Sequence, residues 1–187
     1  MLLELIRAQT RSSHQSLEKL LIPKLKATKT RDGYARLLAI FYGYFSPLEE
    51  QIQTHLSVDT LPDLYQRRKA AAILEDYKKI SADRTDIAIC NDLPEIKNEG
   101  EALAAMYVLE GSTLGGKVIA QMLSTNLGIA EDEGIRFFNG YRNETKVMWD
   151  RFTEVLDHYP TVDNSGESLA QTADETFIKF KNWIELN

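Results

Sequence analysis

Apolar residues recur at steps of three and four along most of the chain, a spacing that predicts amphipathic helices rather than strands. The first stripe contains Leu3, Ile6, Thr10 and Leu17, and it predicts a helix over residues 2–21 that ends before Pro23. Similar patterns predict further helices over residues 31–55, 63–80, 98–127, 131–138, 144–159 and 168–186. No segment shows the alternation of a half-buried strand, so the sequence predicts an all-α fold.

Three positions leave the helix boundaries open. Pro47 lies well inside the second predicted helix, where a proline predicts a kink or a break. Residues 83–90 either extend the third helix or connect it to the next one, and their pattern does not distinguish the two. Residues 160–166 are rich in turn-forming side chains and predict a loop.

The segment 110–116 reads EGSTLGG in the middle of the predicted 98–127 helix. Gly111, Gly115 and Gly116 are therefore expected inside a helix, where each glycine costs about 1 kcal/mol relative to alanine. Gly111, Ser112 and Gly115 share one face of such a helix. The missing side chains predict a close neighbour, either another helix packed on this one or a flat ligand against its backbone.

His14 lies on the apolar stripe of the first helix, between Thr10 and Leu17. Glu18 follows one turn later on the same side, where a carboxylate can orient a ring nitrogen of a metal-ligating histidine. Arg7 returns to this face about two turns before His14. Taken alone, the pattern is more typical of a core histidine beside a surface arginine, and it also fits a metal ligand.

Taken together, the two segments resemble haem oxygenases, specifically the bacterial form. The resemblance is carried by Arg7, Thr10, His14 and Glu18 and by YVLEGSTLGG at residues 107–116, with weaker similarity over residues 34–49 and 141–152. It implies one haem-oxygenase-like domain over residues 1–187. Haem would lie between an N-terminal proximal helix and a glycine-bearing distal helix.

The resemblance also implies a reaction and its residues. Haem would be both substrate and prosthetic group, and O2 with external electrons would cleave it to biliverdin, ferrous iron and carbon monoxide. His14 would ligate the iron. The other implied residues are Gly111, Ser112, Gly115 and Gly116 as the catalytic distal wall, and Arg7, Glu18, Tyr107 and Arg142 in haem binding. Arg7 is the best propionate partner because a guanidinium binds a carboxylate bidentately.

One position departs from the mammalian form of the family, which has an aspartate on the distal helix to organise water. Ser112 stands at the corresponding place here. Glu110 is the one acid of this segment that could face the slot, so the sequence leaves the proton relay unassigned.

Composition narrows the class of protein further. The chain has 187 residues, 43% hydrophobic and 27% charged, which suits one globular domain. No apolar run approaches the ~20 residues of a membrane span, and charged residues begin too early for a signal peptide, so a cytoplasmic location is expected. The net charge of −6 argues against nucleic-acid binding. Cys90 is the only cysteine, so an internal disulfide is excluded. We expect this cysteine to lie in the core.

The implied reaction needs an electron donor such as a ferredoxin or an NADPH-dependent reductase. Lys24, Lys26, Lys29 and Arg31 form a basic segment just after the first predicted helix, and we expect it to help receive that donor. A bilin acceptor protein is a further candidate partner. Two alternatives stay open: a haem-binding sensor or carrier of the same fold, and an all-α interaction module without haem.

Overall fold

The computed structural model describes residues 1–81, 86–161 and 165–187, and these residues form helices and connections without a strand. The all-α prediction is confirmed. The helices are α1 Leu2–Ala27, α2 Arg31–His55, α3 Ala71–Ile80, α4 Glu99–Gly111, α5 Gly116–Leu127, α6 Arg136–Asn139, α7 Thr145–His158 and α8 Ser165–Leu186, with one-turn 3-10 segments at Leu64–Gln66, Glu131–Glu133 and Arg142–Glu144.

Helix α4 lies at the centre of the molecule. It packs against α2, α7 and α8, and its residues 101–106 are all buried. A helix enclosed on every side is apolar all round, and the run from Ala102 to Met106 has this character. At its start the Asn98 side chain accepts a hydrogen bond from the backbone N–H of Glu101, which satisfies one free donor of the first turn. Helix α4 therefore holds its C-terminal residues in a fixed position.

Helices α1 and α8 pack along each other and form one side of the fold. The backbone N–H of Leu3 donates to the Asp157 carboxylate, which ties the start of α1 to the end of α7. In the part of the chain that the structure describes, no helix combines the length and the apolarity that crossing a membrane requires.

The prediction of one continuous helix over residues 98–127 is wrong. Residues 112–115 form a turn between α4 and α5, here called the distal turn. The hydroxyls of Ser112 and Thr113 donate to the carbonyls of Leu109 and Glu110, at 2.7 and 2.6 Å. Such side-chain bonds offer the backbone an alternative to the helical ladder, and the nearby glycines weaken the helix further.

Prolines disturb the helices less than their positions suggest. Helix α1 continues through Pro23 to Ala27, and α2 runs through Pro47 to His55 without a break. A proline removes one ladder bond, and packing along the rest of each helix outweighs that loss. Leu17, Leu25, Phe45 and Leu48 are buried on the two sides of these prolines.

Other boundaries shift as well. The predicted 63–80 helix is divided, because Arg67 has extended backbone between Leu64–Gln66 and α3. Residues 86–90 are not helical, and residues 83–85 of the possible extension lie outside the described residues. Helix α8 begins at Ser165, so the predicted 160–166 loop is shorter, and residues 162–164 of it also lie outside the described residues.

Candidate functional site

A cavity of about 500 Å³ lies between α1 and the α4–α5 region. Helix α1 contributes His14 and Glu18, and the distal turn contributes Ser112 and Gly115. The remaining wall is largely apolar, with aliphatic and aromatic side chains from several helices. Its phenylalanine and tryptophan residues are Phe41, Phe45, Phe137, Phe138, Trp149, Phe177 and Phe180. The volume and the apolar lining suit a flat hydrophobic ligand.

His14 is half-exposed on the cavity side of α1. Its ring centroid lies 5.1 Å from that of Phe177, and its Nε2 lies 3.5 Å from Oε1 of Glu18. A histidine on a rigid helix that faces an aromatic cavity is suited to ligate the iron of a bound haem. Glu18 thus lies beside the ring, and its role in orienting a metal-ligating histidine stays a prediction.

Positive side chains of α1 flank His14 along the cavity. Arg7 lies toward the N-terminus of the helix and Lys26 toward its C-terminus, and both are exposed residues that line the cavity. Cations in these positions can pair with carboxylate groups at the edge of a ligand. Lys26 was predicted only as part of the basic segment, and the structure adds it to the site.

Tyr107 lines the cavity from α4, and its ring centroid lies 5.5 Å from that of Trp149. Burial raises the pKa of Tyr107, while the positive charge of Arg7 and hydrogen bonds with Thr10 and Arg7 act in the opposite direction. The tyrosine is therefore neutral near pH 7 and links α4 to the cavity side of α1.

The three glycines differ in what surrounds them. A Cβ at Gly115 would meet no atom within 4 Å, and one at Gly111 would reach Trp149 only at 3.7 Å. Both glycines line the cavity. A Cβ at Gly116 would lie 2.1 Å from the carbonyl oxygen of Phe138, and Gly116 does not line the cavity. Gly116 therefore allows α5 and α6 to approach closely, which is the helix-packing interpretation of the motif.

Arg142 is not brought together with the other predicted residues. It is exposed before α7 and lines a separate groove with Lys117, Asp132, Asn139 and Asn143. Left-handed backbone at Gly140 and Arg142, with φ of 52° and 55°, reverses the chain here. This reversal leaves Arg142 at the surface and outside the cavity. Its expected role in haem binding receives no support from the cavity lining.

Glu110 does not face the cavity either. Its carboxylate is buried, accepts a 2.8 Å bond from Nη1 of Arg67 and accepts a 2.8 Å bond from the Tyr141 hydroxyl. Arg67 also binds Asp63 at 2.7 Å. Burial lowers the pKa of Arg67, but Glu110 and Asp63 outweigh that effect and raise it. Glu110 therefore neutralises a buried arginine, and it is absent from the cavity lining that the sequence left open to it.

Arg68 is a site residue that sequence reasoning missed. It lines the cavity, and its Nη2 donates to the Ser112 hydroxyl at 2.6 Å and to the Leu109 carbonyl at 2.9 Å. Its guanidinium carbon lies 4.1 Å from the ring centroid of Phe137. Burial lowers the pKa of Arg68 to about 10, and the negative charge of Glu110 opposes this effect. Arg68 therefore keeps its positive charge at neutral pH.

A comparison with protein-family models decides the family. The model described as "Heme oxygenase" matches residues 1–186. The chain belongs to the haem oxygenase family. It is 31% identical over 127 residues to a haem oxygenase of Xanthomonas campestris pv. campestris (strain 8004), and that match covers 67% of this chain and 73% of the relative.

Solved structures show the same haem oxygenase fold. A haem oxygenase from Leptospira interrogans superposes with a TM-score of 0.79 at 20% identity and covers 100% of this chain and 99% of its own. Haem oxygenase-1 from the cyanobacterium Synechocystis sp. PCC6803, solved in complex with haem, gives a TM-score of 0.76 at 15% identity and covers 99% and 91%. The overall fold is thus that of the family.

Proposed function

We propose that this family member is a haem-degrading oxygenase that binds haem in the cavity and converts it to biliverdin, ferrous iron and carbon monoxide. The observation that carries the proposal is that His14 of α1 and Gly115 and Ser112 of the distal turn line one cavity. When bound, haem would supply both the iron at which O2 is reduced and the ring that is cleaved.

The residues of the cavity fit a haem. His14 offers the iron an imidazole nitrogen, and Glu18 lies near enough to hold the ring in one orientation. Arg7 and Lys26 can pair with the two propionates, while the aromatic wall excludes water from the ring. Gly115 leaves open space where any other residue would place a side chain.

The distal turn supplies a hydrogen-bonding wall without a strong acid. Ser112 of the distal turn and the neighbouring Arg68 are the polar groups of this wall, and the nearest carboxylate of α4, Glu110, is occupied by Arg67 and Tyr141. A wall of this kind can hold water and move protons without delivering one from a carboxylic acid. This property suits ring oxidation rather than a peroxidase reaction.

Binding by His14 is tested with hemin and two matched histidine variants. His14→Ala is expected to lose the sharp Soret band of the complex, because the iron loses its protein ligand. His158→Ala is the control, since this exposed histidine at the end of α7 does not line the cavity and its ring contacts the Glu154 carbonyl of its own helix. Equal spectra for the wild type and His14→Ala would contradict the assignment of the ligand.

One observation favours a second candidate, a haem-binding protein that does not degrade its ligand. The Ser112 proton is already used by the Leu109 carbonyl, so this serine does not donate a proton freely. A wild-type complex that keeps its Soret band under O2 and reductant would favour this second function.

The electron donor, a ferredoxin or an NADPH-dependent reductase, is proposed to dock at the basic segment. Lys24 and Lys26 lie in the last turn of α1, and Lys26 also lines the cavity, so the segment adjoins the site. An acidic donor would be attracted to it.

Charge reversal tests this docking site. Lys24→Glu combined with Lys29→Glu is expected to slow ferredoxin-supported turnover and to weaken its dependence on salt. Lys78→Glu combined with Lys146→Glu, two exposed lysines outside the segment, is the control. Unchanged turnover and salt dependence in the first pair would reject this docking site.

A further inference from the structure

The Arg68 guanidinium is anchored from several elements at once. The backbone N–H of Arg68 donates to the Tyr141 hydroxyl at 2.7 Å, and that hydroxyl donates to Glu110 at 2.8 Å. Its Nη1 donates to the Phe137 carbonyl at 3.3 Å, and Nη2 donates to the Leu109 carbonyl. An arginine held from α4, α6 and the segment before α7 has little freedom to leave the cavity wall.

The hydrogen bonds of Ser112 determine what this serine can do. Its hydroxyl accepts from Nη2 of Arg68 at 2.6 Å and donates to the Leu109 carbonyl at 2.7 Å. A hydroxyl has one proton and two lone pairs. With the proton directed at Leu109 and one lone pair used by Arg68, Ser112 can accept one more bond but has no proton left to donate.

Arg68 still has donors. A guanidinium carries five N–H groups, and the contacts with Leu109, Ser112 and Phe137 use three of them. Among the described residues no protein acceptor meets the other two. Because Arg68 lines the cavity, a partly buried cation with donor capacity borders the distal space. The other charged or titratable groups around it are Glu110, Tyr141 and Glu49.

We propose that Arg68 is the positioning residue of the distal wall, which fixes the Ser112 hydroxyl and presents a positive charge and N–H donors toward an anion bound at the haem iron. The inference rests on the proposed function, since it assumes that haem occupies the cavity. It assigns to Arg68 a polar role in the distal wall, where the sequence pattern indicated only Ser112 and Glu110.

Fluoride binding to the ferric haem complex tests the proposal, because fluoride is an anion and a strong hydrogen-bond acceptor. Arg68→Met is expected to bind fluoride about tenfold more weakly than the wild type, as a charge-assisted hydrogen bond is lost. Arg68→Lys keeps the charge but not the fork of donors, so a loss of about threefold is expected. Arg36→Met, an exposed arginine of α2 that pairs with Asp32, should bind fluoride like the wild type.

Carbon monoxide binding to the ferrous complex is the neutral reference. Loss of the Arg68 charge would weaken the binding of fluoride but not that of carbon monoxide, whereas a collapsed cavity would change both affinities by a similar factor. Ser112→Ala should weaken fluoride binding less than Arg68→Met does, because the positive charge of Arg68 remains. Adding Arg68→Met to Ser112→Ala should still cause a further loss.

Several results would overturn the proposal. One is that Arg68→Met binds fluoride as tightly as the wild type, and another is that it loses affinity for fluoride and carbon monoxide by the same factor. If Arg68→Met does not fold, a wild-type affinity for fluoride in Arg68→Lys would have the same meaning. If the wild type itself forms no Soret band with hemin, the proposed function fails first and this inference fails with it. A normal wild-type complex with no effect at Arg68 rejects this inference alone.

Discussion

Two adjacent arginines have different surroundings in this molecule, and the backbone explains why. Arg67 has extended φ and ψ of −69° and 147°, and in extended backbone successive side chains point in opposite directions. Arg67 is directed into the core, where Asp63 and Glu110 pair with it. Arg68 is directed at the cavity, where it bonds Ser112. One short connection thus supplies both a structural ion pair and a site residue.

Glu110 is expected to matter for folding rather than for chemistry. Glu110→Ala leaves the Arg67 guanidinium buried without one of its two carboxylates. Breaking a buried pair on one side costs about 3–5 kcal/mol in the free energy of unfolding. Urea unfolding of the apoprotein measures this loss, with exposed Glu154→Ala as the control. A loss under 1 kcal/mol would show that the pair does not stabilise the fold.

The buried Asp76 predicts a pH dependence of stability. Its Oδ2 accepts a 2.7 Å bond from the N–H of Phe137, and burial raises its pKa above 3.8 while backbone N–H groups oppose the rise. An acid with a raised pKa in the folded state holds its proton there longer than in the unfolded chain. Stability from this group is therefore present below pH 4 and is lost as pH rises through the folded pKa.

Asp76→Asn removes this titration. The wild type is expected to lose stability relative to Asp76→Asn as pH rises from about 4, and the difference should become constant once the carboxyl is ionised in the folded state. Urea unfolding of both proteins between pH 3.5 and about 8 measures it. Parallel stability curves over that range would contradict a raised pKa.

At the scale of elements, the α4–α5 region combines two interpretations that the sequence kept apart. Gly115 adjoins the cavity, and Gly116 adjoins the backbone of Phe138. The same motif therefore leaves room for a ligand and brings two helices together. The periodicity of apolar residues could not reveal the turn between α4 and α5, because the apolar pattern continues through it. The hydroxyls of Ser112 and Thr113 donate hydrogen bonds to carbonyls of the last turn of α4, and periodicity does not report such bonds.

Alanine substitutions should separate the two glycines. Gly116→Ala forces a methyl against the Phe138 carbonyl and is expected to lower the free energy of unfolding by about 1–3 kcal/mol. Gly115→Ala has open space and a helical backbone, so its stability should stay within about 0.5 kcal/mol of the wild type.

Thermal unfolding of both apoproteins measures the difference, and hemin titration reports the effect of Gly115→Ala on the cavity. Equal stability of the two variants would contradict the assignment of Gly116 to helix packing.

The α1 side of the cavity could be predicted from the sequence, whereas the Arg68 contact on the distal side could not. His14, Glu18 and Arg7 lie on one helix, so the helical repeat alone placed them on one face, and the structure puts all three at the cavity. Arg68 lies between a 3-10 turn and α3 and meets Ser112 across 44 residues of chain. No periodicity marks such a contact, since it depends on how α4, α6 and the segment before α7 assemble.

At the scale of the whole molecule, residues of α1, α2 and α4 to α8 line the cavity, so haem binding and folding should be coupled. A ligand that binds only the folded state at 100 times its dissociation constant adds about 2.7 kcal/mol to stability. We expect hemin to raise the thermal midpoint of the wild type and to raise that of His14→Ala much less. Equal shifts in the two proteins would indicate nonspecific association of hemin with the surface.

One aerobic turnover experiment tests whether this haem oxygenase family member degrades the haem that it binds. The purified protein receives one equivalent of hemin, then ascorbate or a ferredoxin system together with an iron chelator. We expect the Soret band to decay while about one equivalent of biliverdin forms with carbon monoxide and chelated ferrous iron, and we expect His14→Ala to fail in this reaction. A wild-type haem complex that is reduced by each donor yet keeps its Soret band under O2 would contradict this expectation.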